Sequence, residues 1–142
     1  MNIAVQKLYP GTRYLSHRLD KEKLVIELES IQEVGECPYC GKVSSKVHSY
    51  YSRKFSDLPL KRYQTEVRLL CKKFFCLNDE CKHRTFSESF GFIKPLALKT
   101  DRLVKEILDI YENNSSRKAS LILSEMGISA CKATVCNLKN KH

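Results

Sequence analysis

The chain has 142 residues, 42% of them apolar and 29% charged, which fits one ordinary folded domain or two very small ones and excludes a disordered composition. Its apolar runs stop well short of the roughly 20 residues that span a bilayer, and Met1 to Pro10 carries neither a long apolar core nor a small-residue cleavage site, so neither a membrane anchor nor a signal peptide is expected. The formal charge of +9 is unevenly placed: residues 1–36 carry net −1 and the rest carry +10, a basic field that suits a polyanion, or else only a soluble basic surface.

Leu24 to Glu29 is rich in branched apolar residues and predicts a strand. Lys46 to Phe55 predicts a second strand, broken by Asp57-Leu58-Pro59. Thr65 to Phe75 predicts a third, with Val67, Leu69, Cys71 and Lys73 on one side and Arg68, Leu70 and Lys72 on the other. Past Pro95 the period becomes helical. Leu103, Val104, Ile107, Leu108 and Tyr111 line a helix that Thr100 can cap and Asn113-Asn114 ends. Ser115 or Ser116 can cap a second helix, whose apolar face is Ala119, Leu121, Ile122, Leu123 and Met126 and which Gly127 stops. A third helix is expected from about Ala130 to Lys139.

Seven cysteines in a chain with no export signal point to metal, since a reducing compartment disfavours disulfides and an odd number cannot all pair within one chain. Cys37-x2-Cys40 and Cys76-x4-Cys81 are two knuckles that can each give two thiolates to one tetrahedral zinc. Pro38 and Gly41 suit the first turn and Asn78-Asp79 the second. The 35 residues between Cys40 and Cys76 can form the hairpin that joins them, as in a zinc ribbon. A buried apolar role for the thiols and a redox Cys-x2-Cys are the alternatives, and His83 or His48 could replace a ligand. Cys71 is read as core, and Cys131 and Cys136 as small core or surface residues. One structural zinc is thus the expected cofactor.

Ser116 to Lys141 has the proportions of a helix-turn-helix, with Gly127 at the turn and Ile128, Val135 and Leu138 between the helices. Lys132, Thr134, Asn137, Lys139 and Lys141 then face outward, as types that contact phosphates and base edges, and Arg117 is a further DNA-contact candidate. Arg53, Lys54, Lys61, Arg62, Lys72, Lys73 and Arg84 are candidates on or beside the ribbon strands. Each could equally be a solvated charge. Phe74, Phe75, Phe86, Phe90 and Phe92 could be docking aromatics, though core packing is the expected role for most of them.

These motifs occur in a telling order. Cys37-Pro38-Tyr39-Cys40-Gly41, Val47-His48-Ser49-Tyr50, Asp57-Leu58-Pro59, Lys73-Phe74-Phe75-Cys76, Cys81-x2-Arg84-x-Phe86-x-Glu88, Thr100-x-Arg102-Leu103 and Gly127-Ile128 together resemble the N-terminal region of insertion-sequence transposases of the ISL-three type, over about residues 5–141. The resemblance implies that Cys37, Cys40, Cys76 and Cys81 bind zinc. It also implies that the helical part binds double-stranded DNA at the element's terminal inverted repeats, ahead of a DDE-type catalytic domain. That domain needs three carboxylates holding two divalent ions. Asp101, Glu106 and Asp109 share one helix and are read as solvated charges, so no catalysis is expected of this chain.

The expected fold is α+β: residues 1–36 as an N-terminal strand segment packing on the ribbon, 37–92 as the zinc ribbon, and 93–142 as a three-helix helix-turn-helix region. The expected setting is the bacterial cytoplasm, at the nucleoid, with full-length transposase as a further partner and neither a membrane nor a small-molecule substrate. The competing readings are a zinc-ribbon protein-interaction module, a transposition regulator competing for the element ends, and a small zinc hydrolase with an open metal position.

Overall fold

A computed structural model describes residues 2–141. Its centre is a long antiparallel hairpin of β5 (Val47–Leu60) and β6 (Tyr63–Phe75). In β6 the alternation is as expected: Val67, Leu69 and Cys71 are wholly buried, whereas Leu70 on the opposite side is exposed. Burial pushes the Cys71 thiol up to about 11, which suits an inert core residue. Asp57-Leu58-Pro59 does not break the strand as expected. β5 runs through it to Leu60, and an irregularity in the ladder between Asp57 and Leu60 absorbs the proline on an edge strand.

The expected strand near Leu24 is β2 (Lys23–Ser30), and it lies parallel to β6, with Leu28 opposite Leu69. Its antiparallel partner β1 (Thr12–Asp20) is absent from the sequence reading, because its side chains are nearly all exposed and show no apolar alternation. Arg13 and Arg18 of β1 instead pair with Glu29 and Glu27 of β2. The sheet order is β1-β2-β6-β5, with β7 (Thr85–Ser87) beside the end of β6. Residues 1–36 thus contribute β1 and β2 to the same sheet as the hairpin, with β2 an inner strand. A helix, α1 (Asn2–Leu8), also unassigned from sequence, packs Val5 onto this sheet, beside Tyr9. Phe90 and Ile93 close the same core, joined by half-buried Phe92, whose ring meets those of Tyr9, Phe55 and Phe90.

Three helices follow: α2 (Asp101–Asn113), α3 (Ser116–Met126) and α4 (Lys132–Lys141). Thr100 caps α2 by accepting the Leu103 N–H, and Ser115 caps α3 by accepting the Lys118 N–H. Gly127 ends α3 with φ 85°, a left-handed conformation that an L side chain resists. Leu103, Ile107, Leu123, Ile128, Ala130 and Val135 form the helical core, against which Leu58 of β5 packs. Two expectations shift here. Leu121 is 60% exposed and does not belong to the apolar face of α3. α4 starts at Lys132, because Ala130 is buried in the connection that precedes it. Among the described residues, no helix is long and apolar enough to cross a membrane.

Candidate metal centre and nucleic-acid surface

The ends of two knuckles meet where the hairpin opens. In the first, β3 (Gly35–Glu36) pairs with β4 (Val43–Ser44), and the turn between them is closed by Cys37 N–H donating to the Lys42 carbonyl at 3.0 Å and Gly41 N–H donating to the Cys37 carbonyl at 2.8 Å. Gly41 has φ 80°, the conformation a tight turn around a ligand needs. In the second, Cys76 N–H donates to the Arg84 carbonyl at 2.8 Å, Cys81 N–H to the Asn78 carbonyl at 3.0 Å, and the Asn78 side chain accepts the Glu80 N–H. Phe74 and Phe86, both buried, pack beneath Cys37. A Cβ on Gly35 would lie 2.7 Å from Phe74 and 2.9 Å from Phe86, so glycine there lets the aromatic floor close.

The sulfurs of Cys37, Cys40, Cys76 and Cys81 all lie within 4.8 Å of one another, with Cys40 and Cys76 at 3.6 Å. A tetrahedron with metal–sulfur bonds of about 2.3 Å has edges of about 3.8 Å, so the four residues fit one zinc ion. The clustered sulfurs perturb one another's titration. The Cys40 thiol is pulled down to about 6, first by the Lys42 backbone N–H and then by Asn78. Cys76 is pushed up to about 12: the Asn78 N–H pulls it down, but burial and the neighbouring sulfurs outweigh that pull. Four bare thiolates repel one another, and a divalent cation removes the conflict. Neither histidine joins the cluster. His83 stacks on Tyr39 across the two knuckles with ring centroids 3.4 Å apart, and His48 lies beside Ser49 and the Phe75 ring.

The candidate DNA contacts are dispersed. Lys132, Asn137, Lys139 and Arg117 are exposed on the helices, but Thr134 is half-buried. Arg84 is exposed beside the second knuckle and Lys73 is half-buried on β6. Two candidates serve the fold. Arg53 donates to the carbonyls of Lys94 and Ala97, and Lys72 donates through Nζ to the Gln32 carbonyl. Lys54, with Lys23 and Arg68, surrounds Glu66 and is partly neutralised by it. His142 and the Lys141 side chain lie outside the described residues. Of the aromatics, Phe74, Phe86 and Phe90 are buried, and Cys131 and Cys136 are exposed.

Asp57 is a site that residue-by-residue reading missed. Its side chain has no solvent exposure and accepts from the Thr100 hydroxyl at 2.6 Å, the Leu58 N–H at 2.8 Å, Arg102 Nε at 2.7 Å, Arg102 Nη2 at 2.5 Å and the Tyr9 hydroxyl. Burial works to raise its carboxyl, but the Arg102 guanidinium, the Thr100 and Tyr9 hydroxyls and the Leu58 N–H outweigh it and hold it below the usual carboxylate range. Burial, followed by the Asp57 charge, raises the Tyr9 phenol far above its ordinary value. The chain beside α1, the end of β5 and the start of α2 thus converge on one carboxylate. The signal was present as two separate motifs, Asp57-Leu58-Pro59 and Thr100-x-Arg102, whose contact spans 45 residues.

Residues 33–81 match the family model described as the zinc-finger of transposase IS204/IS1001/IS1096/IS1165. Neither the curated proteins nor the solved structures provided a match to the chain. The matched segment contains all four clustered cysteines and the whole β5–β6 hairpin. The metal centre is a structural zinc site built from Cys37, Cys40, Cys76 and Cys81, in a segment similar to transposase zinc-fingers.

Proposed function

We propose that this chain is a DNA-binding module of transposase type that recognises terminal inverted repeats of an insertion sequence and carries no strand-transfer chemistry of its own. The observation that carries the reading is the match of residues 33–81 to a transposase zinc-finger. It is supported by the three-helix unit that follows, in which left-handed Gly127 opens the connection between α3 and α4, a feature common in helix-turn-helix units. In this reading α4 enters the major groove, with Lys132 near its N-terminus and Asn137 and Lys139 further along, while Arg117 contacts the backbone. Zinc is a scaffold here, because a four-thiolate site leaves no ligand position for a reacting water. With full-length transposase present, the module competes for the same ends.

Fluorescence anisotropy on a duplex carrying a terminal repeat, against a scrambled duplex, tests the reading. Preference for the repeat, with affinity falling steeply with salt, is the expected result. Equal affinity for both duplexes removes end recognition, and no binding to either removes the function. A protein-docking role is favoured by one observation: Leu96 and Leu98 are 96% and 71% exposed beside a groove whose other wall is Pro38 and Tyr39. Binding to a partner through that groove would be nearly indifferent to salt.

A further inference from the structure

β2 is parallel to β6, with Lys23 opposite Gln64, so the β1–β2 and β5–β6 hairpins turn at the same end of the sheet's strands. The Gln64 N–H donates to the Glu22 carbonyl at 3.0 Å and ties the two turns together. Both are two-residue turns: Asp20 pairs with Lys23 and Leu60 with Tyr63, leaving Lys21-Glu22 and Lys61-Arg62 at the tips. The first tip residue has positive φ in each, 58° at Lys21 and 56° at Lys61. Glycine, asparagine or aspartate relieves that conformation, yet both turns carry lysine. The two-residue turns impose that conformation, and what stands out is that both place a lysine, which bears its strain, where glycine would not.

Lys21, Lys61 and Arg62 are exposed, and none has an acidic partner among the described residues. Asp20 and Glu22 are the acids at the tips. The tips also adjoin the helical unit. A cavity of about 350 Å³ separates them from the α3–α4 connection, lined by Glu22, Arg62 and Gln64 on one side and by Gly127, Ser129 and Cys131 on the other. α4 begins at the next residue, Lys132. Arg62 of one tip, with Glu22 of the other, therefore faces the end of α4 that the proposed function directs into the groove, and Lys21 and Lys61 are the first residues of the same two tips.

We infer that the paired hairpin tips, through Lys21, Lys61 and Arg62, form a phosphate-binding surface that grips duplex DNA next to the segment read by α4. The inference rests on the DNA-binding reading above. Phosphate contacts of this kind position a protein on the duplex without reading its sequence.

The test is the Lys21→Gly/Lys61→Gly double variant, titrated with duplex DNA across a salt series beside wild type, Lys132→Ala and Lys7→Ala. Glycine relieves the turns, so zinc content and melting temperature stay level or rise. The slope of log affinity against log salt falls by about 1.8, two phosphates at about 0.9 each, with equal loss on repeat and scrambled duplexes. Lys61→Arg, which keeps both the charge and the strained turn, retains the wild-type slope. Lys7, exposed on α1, controls for net charge. An unchanged slope in the double variant overturns the tip surface, and the DNA-binding reading stands if Lys132→Ala still weakens binding. A drop of about 0.9 in Lys7→Ala, the same per charge removed, also overturns it, since the loss is then one of general charge. A wild-type chain that binds no duplex overturns both.

Discussion

The β5–β6 hairpin has the zinc cluster at one end and the helical unit at the other, and the two ends are held by different chemistry. At the metal end, Val47, Phe74 and Phe86 form a small apolar floor under four sulfurs. Such a floor buries too little surface to hold two knuckles without the ion. At the helical end, Leu58 and Asp57 of β5 engage α2, the first by packing and the second by a buried ion pair with Arg102. About a dozen strand residues separate the ends, on the order of 40 Å. The zinc therefore does not orient the helices through contact: the sheet transmits position from one end to the other, and Asp57 fixes the helices to it. One end is conditional on a cofactor and the other on a proton.

Removing zinc is the largest way to break this comparison. Structural zinc in small sites contributes an apparent 10–16 kcal/mol, approximately, at neutral pH. Cys76→Ser, or a strong chelator, should abolish the single bound zinc and expose the amides of Cys37 to Lys42 to rapid hydrogen exchange, while α2 and α3 stay protected. Loss of protection in the helices as well would show that the two ends fold as one unit. Native mass spectrometry and hydrogen-exchange mass spectrometry give both answers.

Asp57→Asn is the matching lesion at the other end. It leaves Arg102 facing a neutral partner in a site shaped for a charge, and breaking a buried pair costs about 3–5 kcal/mol. Because Arg102 is partly exposed, the lower part of that range is expected in urea unfolding. Zinc stoichiometry should not change.

Acid titration sharpens the same contrast. The Asp57 carboxyl is held below its unfolded value of about 3.9. Its contribution is therefore complete above that value and is lost as pH falls through the depressed folded one. Zinc thiolates meet competition from protons at higher pH, since free thiols titrate near 8.5, well above carboxylates. Zinc release should thus precede helical unfolding as pH falls, and Asp57→Asn should flatten the second step only. A single merged transition, followed by zinc-sensitive dye and far-ultraviolet circular dichroism, would break the distinction.

Two glycines supply the smallest lesions. Gly35→Ala drives a Cβ into Phe74 and Phe86 and should cost about 1–3 kcal/mol, as overpacking does, with weakened zinc retention. Gly127→Ala places an L side chain at φ 85° and should cost about 1–2 kcal/mol, with zinc retention untouched. Thermal melts with zinc competition assays separate the two.

Much of the fold was legible where local chemistry decides it. Thr100, Ser115 and Gly127 mark helix ends because their side chains, or the lack of one, act within three or four residues. The alternation of Val67, Leu69 and Cys71 shows which side of β6 is buried. β1 escaped because an edge strand held by Arg13–Glu29 and Arg18–Glu27 pairs has no apolar period to read. Arg53 and Lys72 looked like free cations because their carbonyl acceptors, Lys94, Ala97 and Gln32, are about 40 residues away or more.

What the sequence by itself determined is the ligand set and the helix punctuation: two cysteine knuckles need only a turn each, and a cap needs only its own helix. What only the tertiary structure decided is where those parts stand. The parallel pairing of β2 with β6 brought the two lysine-bearing turns together. The length of β5 and β6 placed metal and helices far apart, and Asp57 joined groups from residues 9 to 102. Such contacts depend on loop closure and burial across the whole chain, which no local window contains.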